Sequence, residues 1–580
     1  MTGSPVRHER LRLMAIAAIA AAALVATWLR VRGLAFGLPA IYNPDEIAIM
    51  SRALAFATGD LNPHNFLYPT LYFYLLFAWE GMYFAAGWLI GLIPSRAAFQ
   101  QSFFVDPTGI FLAGRMLGVA CGVGSVLATW RLGTRVAGAV AGIAAAWFLA
   151  IAPFAVRDAH YVKHDVPTTL AVVLAVLAAS RLADASPARR TRWLVAAAIL
   201  SGLATSMHYY AVFVCLPLAW AAWIAWRDQP VLSRAGAVAA AAAVSALAFM
   251  AGSPYLAAEP YTALRDIQAN RQIVIDRAVA TSHTAFASLP AYARMLWNDA
   301  TGWPVTLLAL CGIVVLLRRN WHAAVLVVVF PVVFFLFIGN TVAATRYLNP
   351  ILPFVAVLAG VTVAAMAKRF TPASSAAAAI VVALAAGAPA MAASWKAGTF
   401  FRQTDTRTLA LDYVTTHLPN GAGVLVQPYS VPLPESRDSV EAALRAHLGD
   451  PARASTKFRL RLALPRWPDP AYRVVYLGHG GLDVDKIYVD YTELGGSQGL
   501  SALRPLNVQY LVLKRYNDES AVMAPLVEAL GREARRIAVF SPYLVPGEAA
   551  TVAPFLHNTD ARIDPALARP GPVIEIWQLP

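Results

Sequence analysis

The sequence predicts an α-helical polytopic membrane domain followed by a soluble α/β domain. Three observations carry this reading. The chain's 580 residues are 58% hydrophobic and only 14% charged, with a mean hydropathy of +0.55, whereas soluble domains carry about 25% charged residues. Many apolar runs approach the roughly 20 residues that a helix needs to cross a bilayer, which predicts about 11–13 transmembrane helices. After Ser394 charge, Pro and Gly increase and the long apolar runs stop.

The first helix is expected over 13–29. Arg7, His8, Arg10 and Arg12 precede it, and no small-residue cleavage site closes it. It reads as a retained helix that starts in the cytoplasm. Further helices are expected over 110–130, 136–151, 166–180, 193–207, 209–226, 235–250, 303–317, 321–338, 347–365 and 374–393. The short links 131–135, 181–192, 227–234, 318–319 and 368–369 are basic, which places them in the cytoplasm. Parity then requires the apolar stretch 71–93 to cross an even number of times. With Glu80 and several aromatics, it suits an interfacial, re-entrant or bent segment.

That topology puts 31–70, 152–165, His208, 253–302, 339–346 and everything after Ser394 on the outer, periplasmic side. The unusual polar residues concentrate there. The domains are therefore read as 1–393, a membrane domain with periplasmic loops 31–70 and 253–302, and 394–580, a periplasmic α/β domain. In the latter a helix is expected near 405–418 and strands near 423–426, 510–513 and 573–577.

Composition also excludes some function classes. The net charge is +14, but the cations cluster at the ends of apolar runs, where they sort topology and meet headgroups. No aromatic-basic nucleic-acid module is visible. Cys121, Cys215 and Cys311 all lie in apolar runs and form no CxxC pair, which suits small core residues better than a metal or redox site.

The chemistry-bearing residues form a few clusters. Asn43-Pro44-Asp45-Glu46 follows the first helix. It reads as a helix start: Asn43 as cap, Pro44 at the first position, acids in the first turn. The same capped helix is also a rigid mount for a carboxylate that takes a proton or holds a cation. Arg157-Asp158-Ala159-His160-Tyr161-Val162-Lys163-His164-Asp165 gathers cations, acids and imidazoles between two membrane helices. A cap at Asp165 and snorkelling explain single members but not the set. Such a set suits a phosphate on its cations and a sugar on its acids. His208 and Tyr209 are an aromatic-belt pair or substrate-lining residues. Arg346 and Tyr347 sit at a helix mouth, as an interface anchor or a clamp for a lipid phosphate. His64 and Tyr68, on the same outer loop as Asp45, either line a sugar site or are ordinary loop groups.

Together these features resemble the GT-C superfamily of membrane glycosyltransferases. The resemblance rests on Asp45-Glu46 after the first helix, the His160–Pro167 segment "HYVKHDVP", Gly252-Ser253-Pro254-Tyr255, and "RYLNPILPF" from Arg346. The nearest branch in pattern is the bacterial one allied to protein O-mannosyltransferases and the lipid A aminoarabinose transferase. It covers roughly residues 10–395. The resemblance implies a polyprenyl-phosphate sugar donor, a lipid, glycan or protein acceptor, and transfer to a hydroxyl at the periplasmic face of a bacterial inner membrane, with inversion. It implies Asp45, Glu46 and Asp165 as catalytic carboxylates, and Arg157, His160, Lys163 and Arg346 on the donor phosphate. Some members of the superfamily need a divalent metal; nothing in this sequence indicates one. Two other readings stay open: a transporter or flippase of a lipid-linked sugar, which predicts charges at the bilayer midplane, and an envelope scaffold, which predicts that Asp45 is dispensable.

Overall fold

The computed structural model describes all residues except 1–4, 279–283, 372–373, 480–482, 496–498, 516–519, 546–547, 549–550 and 557–562. Its first part is a bundle of apolar helices. Helix α1 spans Pro5–Val31, α2 Pro44–Ala55, α3 Leu71–Leu89, α4 Arg96–Val105, α5 Thr108–Ala137, α6 Ala139–Ala150, α7 Pro153–Arg157 and α8 Asp165–Ala183. By length and composition seven helices among the described residues are able to cross a membrane: Leu13–Val31, α5, α8, Val231–Gly252, Trp321–Ile338, Thr345–Ala367 and Ser375–Phe400. Counting two bent pairs as spans gives up to nine. The larger number expected from sequence included stretches that fold as helices but are shorter, more polar or broken. Residues 209–226 begin as a 3-10 turn over Tyr209–Val214 before Cys215–Ala225 becomes α-helical. Within 71–93, Leu71–Leu89 forms one unbroken 19-residue helix, α3, rather than a bent pair.

Small residues let the helices approach closely, the usual device where lipid supplies no hydrophobic drive between helices. The central helix is Leu352–Ala367, nearly all of it buried. A Cβ on its Gly360 would clash with the Ala141 carbonyl oxygen of α6, and one on Gly312 would clash with the Leu358 oxygen. The basic stretch 131–135, expected as a link, is the last turn of α5. The chain reverses just after it at Gly138, whose φ of 93° suits glycine. The break between α6 and α7 is a 59° bend at Pro153, which cannot donate a helix hydrogen bond. After this bend the segment from Arg157 to Asp165 runs past the start of α2, which it meets through the Val162 amide and Lys163.

The last long helix runs to Phe400, past the 393 boundary read from composition. Asp405 then caps the helix Thr406–His417, accepting from the Arg407 amide at 2.8 Å. A six-stranded sheet follows, in the order β3-β2-β1-β4-β6-β5. Its strands are β1 Gly423–Val426, β2 Arg473–Leu477, β3 Tyr488–Val489, β4 Tyr510–Arg515, β5 Arg535–Phe540 and β6 Val573–Gln578. The first four in that order are parallel, and β6 pairs antiparallel with β4 and β5. The central strands are apolar on both faces because a buried layer covers each side of the sheet.

The sheet domain is seated on the segment that leads into α2. Phe36 stacks on Phe401 with centroids 4.8 Å apart, and Phe555 packs against Phe400 and Phe401. The Tyr42 hydroxyl hydrogen-bonds Thr408 at 2.6 Å, and the Arg407 guanidinium lies 3.9 Å from the Tyr42 ring centroid. Tyr42 directly precedes the cap of α2, so the sheet domain helps to fix where α2 begins.

Candidate active site

The start of α2 is built as its sequence dictates. Asn43 is extended, and its side-chain oxygen accepts from the Asp45 amide at 3.1 Å; Pro44 occupies the first turn, where its missing N–H costs nothing. The cap and the carboxylate mount are thus one object. Successive helical residues point about 100° apart, so Asp45 and Glu46 have different fates.

Glu46 turns inward and is fully buried. Its two oxygens accept from Arg115 Nε and Nη2 of α5, both at 2.9 Å, and Oε1 also accepts from the Val162 amide at 2.9 Å. The bidentate pair locks α2 to α5 and to the 157–165 segment. Glu46 thus faces Arg115 and the Val162 amide and does not line the pocket described next. Its neighbour Asp45 turns the other way, with its side chain 49% exposed, and meets Lys163 Nζ at 2.6 Å.

This ion pair lies in a narrow pocket of about 10 Å³ lined by Asp45, Ile49, Tyr68, Lys163, His164, Asp165, His208, Arg346 and Tyr347. Seven of the residues singled out from sequence meet here: Asp45, Asp165, Lys163, Arg346, Tyr68, His208 and Tyr347. They come from the α2 start, the loop before α3, the α8 start, residue 208 and the mouth of the Thr345–Ala367 helix. Two carboxylates and two cations thus face one small space. Burial pushes the Lys163 ammonium below the ordinary lysine range, and the Arg346 charge adds to this; Asp45 and Asp165 oppose it.

Aromatic rings form one wall. Tyr68 stacks on His164 with centroids 4.0 Å apart and meets His208 edge-on at 5.2 Å, while His208 stacks on Tyr210 at 3.8 Å. Burial pushes both imidazoles well below the usual histidine range, so they stand neutral beside the cations. His164 Nε2 is buried without a hydrogen-bond partner among the described residues. The sequence leaves open which of His160, Lys163 and His164 faces the site; Lys163 and His164 line the pocket and His160 does not, with the His164 ring packed on Tyr68 and Tyr72.

Four other expected residues point elsewhere. Arg157 is buried, pairing with Asp158 and donating to Thr345 Oγ1. His160 is buried, with its ring nitrogens 2.9 Å from the Val156 oxygen and 3.0 Å from the Arg32 oxygen. Neither reaches the pocket. Both are corrected from phosphate ligands to framework, because those partners take up their side chains. Their framework supports Arg346 indirectly: Asn349 Nδ2 donates to Asp158 Oδ2 at 2.6 Å and to the Arg346 backbone oxygen at 3.1 Å. His64 is exposed, held between Asp60 and Glu259, and also lies outside the pocket. Tyr209 donates to the Phe66 oxygen at 2.9 Å. It lines a neighbouring cavity of about 180 Å³ that shares Tyr68, His208 and Tyr347 with the pocket and continues between Ile267, Val274, Phe334 and Phe337.

Among the described residues no group of three or more His, Cys, Asp or Glu side chains converges as metal ligands. In the pocket the carboxylates are interleaved with Lys163 and Arg346, a set that does not suit a resident divalent ion.

Comparison with known proteins agrees with this architecture. Residues 109–256 match the family described as dolichyl-phosphate-mannose-protein mannosyltransferase. No curated protein matches the chain by sequence. The fold resembles the crystal structure of ArnT from Cupriavidus metallidurans bound to undecaprenyl phosphate, with a TM-score of 0.53 and 13% identity over 97% of both chains. The apo structure of the same protein matches at 0.51 and 13% identity, over 89% of this chain and 95% of that one. The chain has the GT-C fold, with ArnT-like architecture from the membrane bundle to the sheet domain.

Proposed function

We propose that this GT-C membrane protein is a glycosyltransferase that moves a sugar from a polyprenyl phosphate to a hydroxyl acceptor on the periplasmic face, with inversion at the anomeric carbon. The observation that carries the reading is the Asp45–Lys163 pair at 2.6 Å inside a pocket that also holds Arg346 and Asp165. The matched mannosyltransferase family and the ArnT likeness supply the lipid-phosphate class of donor.

The chemistry follows from charge. A lipid phosphate is a competent leaving group, so the site needs cations for the charge that develops on it and a base for the acceptor. Lys163 and Arg346 supply the cations. As the donor phosphate takes up Lys163, Asp45 is released to accept the proton of the acceptor hydroxyl. The acceptor oxygen bonds the anomeric carbon from one face while the bond to the phosphate oxygen breaks on the other, its electron pair leaving with the phosphate. Asp165 orients the sugar, and neutral His164 offers Nε2 as an acceptor for a sugar hydroxyl. The aromatic cavity behind Tyr68 and Tyr347 takes the proximal isoprenes. Concentration of the charges at helix ends on one side argues against a transport path through the bundle.

The test is transfer from a radiolabelled polyprenyl-phosphate sugar pool in membranes, comparing wild type with Asp45→Asn. Label reaching an acceptor only in wild type supports the proposal. Equal transfer by both proteins refutes the role of Asp45, and no transfer by wild type with a verified donor pool refutes the activity.

A further inference from the structure

A larger cavity, about 330 Å³, lies behind α2 and belongs to none of the machinery above. Leu54 on its wall sits about 180° round α2 from Asp45. The other walls include Phe77 and Phe84 of α3, Phe99, Phe103 and Phe104 of α4, and Leu460 from the sheet domain. The lining is therefore mostly hydrocarbon and aromatic.

Three charged groups interrupt it. Glu80 of α3 is 1% exposed, and both its carboxylate oxygens are buried without a hydrogen-bond partner among the described residues. The Ser51 hydroxyl, of a residue that also lines the cavity, is likewise buried without a partner among the described residues. A buried carboxylate with no donor is strongly disfavoured, so Glu80 either holds a proton or is met by a donor that a ligand brings into the cavity. At the mouth stand two exposed cations, Arg96 and Lys457, the second contributed by the sheet domain. Acid at depth, base at the rim and aromatic walls between them form a pattern that complements a zwitterion on a hydrocarbon body.

We infer that this cavity binds an aminophospholipid, with its primary ammonium on Glu80, its phosphodiester on Arg96 and Lys457, and an acyl chain along the Phe77–Phe103 wall. An anionic lipid would meet the rim cations but leave Glu80 unpaired. A quaternary ammonium carries no N–H to donate to Glu80. The inference is independent of the proposed transfer reaction, since no residue of the Asp45 pocket takes part. Because the site joins α2, α4 and the sheet domain, an occupied cavity ties the domains together on the side of α2 opposite the pocket.

The experiment uses the full-length protein in detergent and reads lipid retention by native mass spectrometry. It is titrated with phosphatidylethanolamine, phosphatidylglycerol and phosphatidylcholine of one chain length. Wild type is expected to retain phosphatidylethanolamine about tenfold better than the other two, the scale of one charge-assisted hydrogen bond. Glu80→Gln should abolish that preference, and Arg96→Gln with Lys457→Gln should weaken all three lipids. Equal retention of the three by wild type, or a preference for phosphatidylglycerol, overturns the inference without any variant. So does an undiminished preference in folded Glu80→Gln.

Discussion

Neighbouring acids at the start of α2 are expected to fail in opposite ways when each loses its charge. Glu46→Gln keeps the side-chain volume but strips the charge from three hydrogen bonds: two from Arg115 and one from the Val162 amide, each at 2.9 Å. Both partners of the ion pair are 0% exposed, so solvent does not rescue the Arg115 guanidinium left behind. Breaking a buried pair on one side costs about 3–5 kcal/mol. Asp45→Asn removes a pair in which the carboxylate side chain is 49% exposed. Solvent screening limits that loss to about 1 kcal/mol or less, yet the lost base should cost about 10²–10⁴-fold in transfer rate. The assay is paired: thermal unfolding of each full-length variant in the same detergent, and transfer from a labelled polyprenyl-phosphate sugar. Glu46→Gln should unfold well below wild type, whereas Asp45→Asn should unfold close to it and be inactive. A Glu46→Gln protein as stable as wild type would refute the structural assignment of Glu46. A stable Asp45→Asn that transfers at the wild-type rate would refute the assignment of Asp45.

Other consequences concern charge and pH. Arg346→Gln should raise KM for the lipid-phosphate donor by about tenfold or more, the worth of a charge-assisted contact to phosphate; an unchanged KM would remove Arg346 from the donor site. The Lys163 charge is present below its folded-state pKa and lost as pH rises through it. Burial holds that pKa below the ordinary lysine range, so the alkaline limb of kcat/KM should fall at lower pH than a free lysine would give. Lys163→Arg, if active, should remove that limb. His64 is shifted upward, chiefly by its hydrogen bond to Asp60. Its pairing is therefore fully present below the unfolded pKa of about 6.5 and fades as pH rises through the folded value. Because His64 and Asp60 are largely exposed, His64→Ala should leave the unfolding temperature nearly unchanged at pH 8 and transfer unaffected at either pH; abolished transfer would return His64 to the site.

By itself the sequence determined the class of molecule and the local pieces. Apolar runs set the membrane helices because bilayer thickness is a length that hydropathy counts directly. Asn43 and Pro44 fixed the first turn of α2, and Asp405 fixed the start of the helix it caps, because caps act over a few residues. The strands expected at 423–426, 510–513 and 573–577 were legible as short strand-like runs, and the structure extends the last two to Arg515 and Gln578. The order of motifs also picked out most of the pocket: Asp45, Lys163, Asp165 and Arg346 were all in view. What only the tertiary structure decided is which way each polar side chain points. Glu46 left the site because Arg115, 69 positions away, and the Val162 amide, 116 away, claim its oxygens. Arg157 and His160 left it because their side chains are taken up by Asp158, Thr345 and the Val156 and Arg32 carbonyls, while Lys163 and His164, a few residues on, line the pocket. Local sequence sets a helix and its cap, but the rotation of that helix against its neighbours is fixed by contacts far apart along the chain. Within a charged cluster, that rotation separates the groups that do chemistry from the groups that hold them in place.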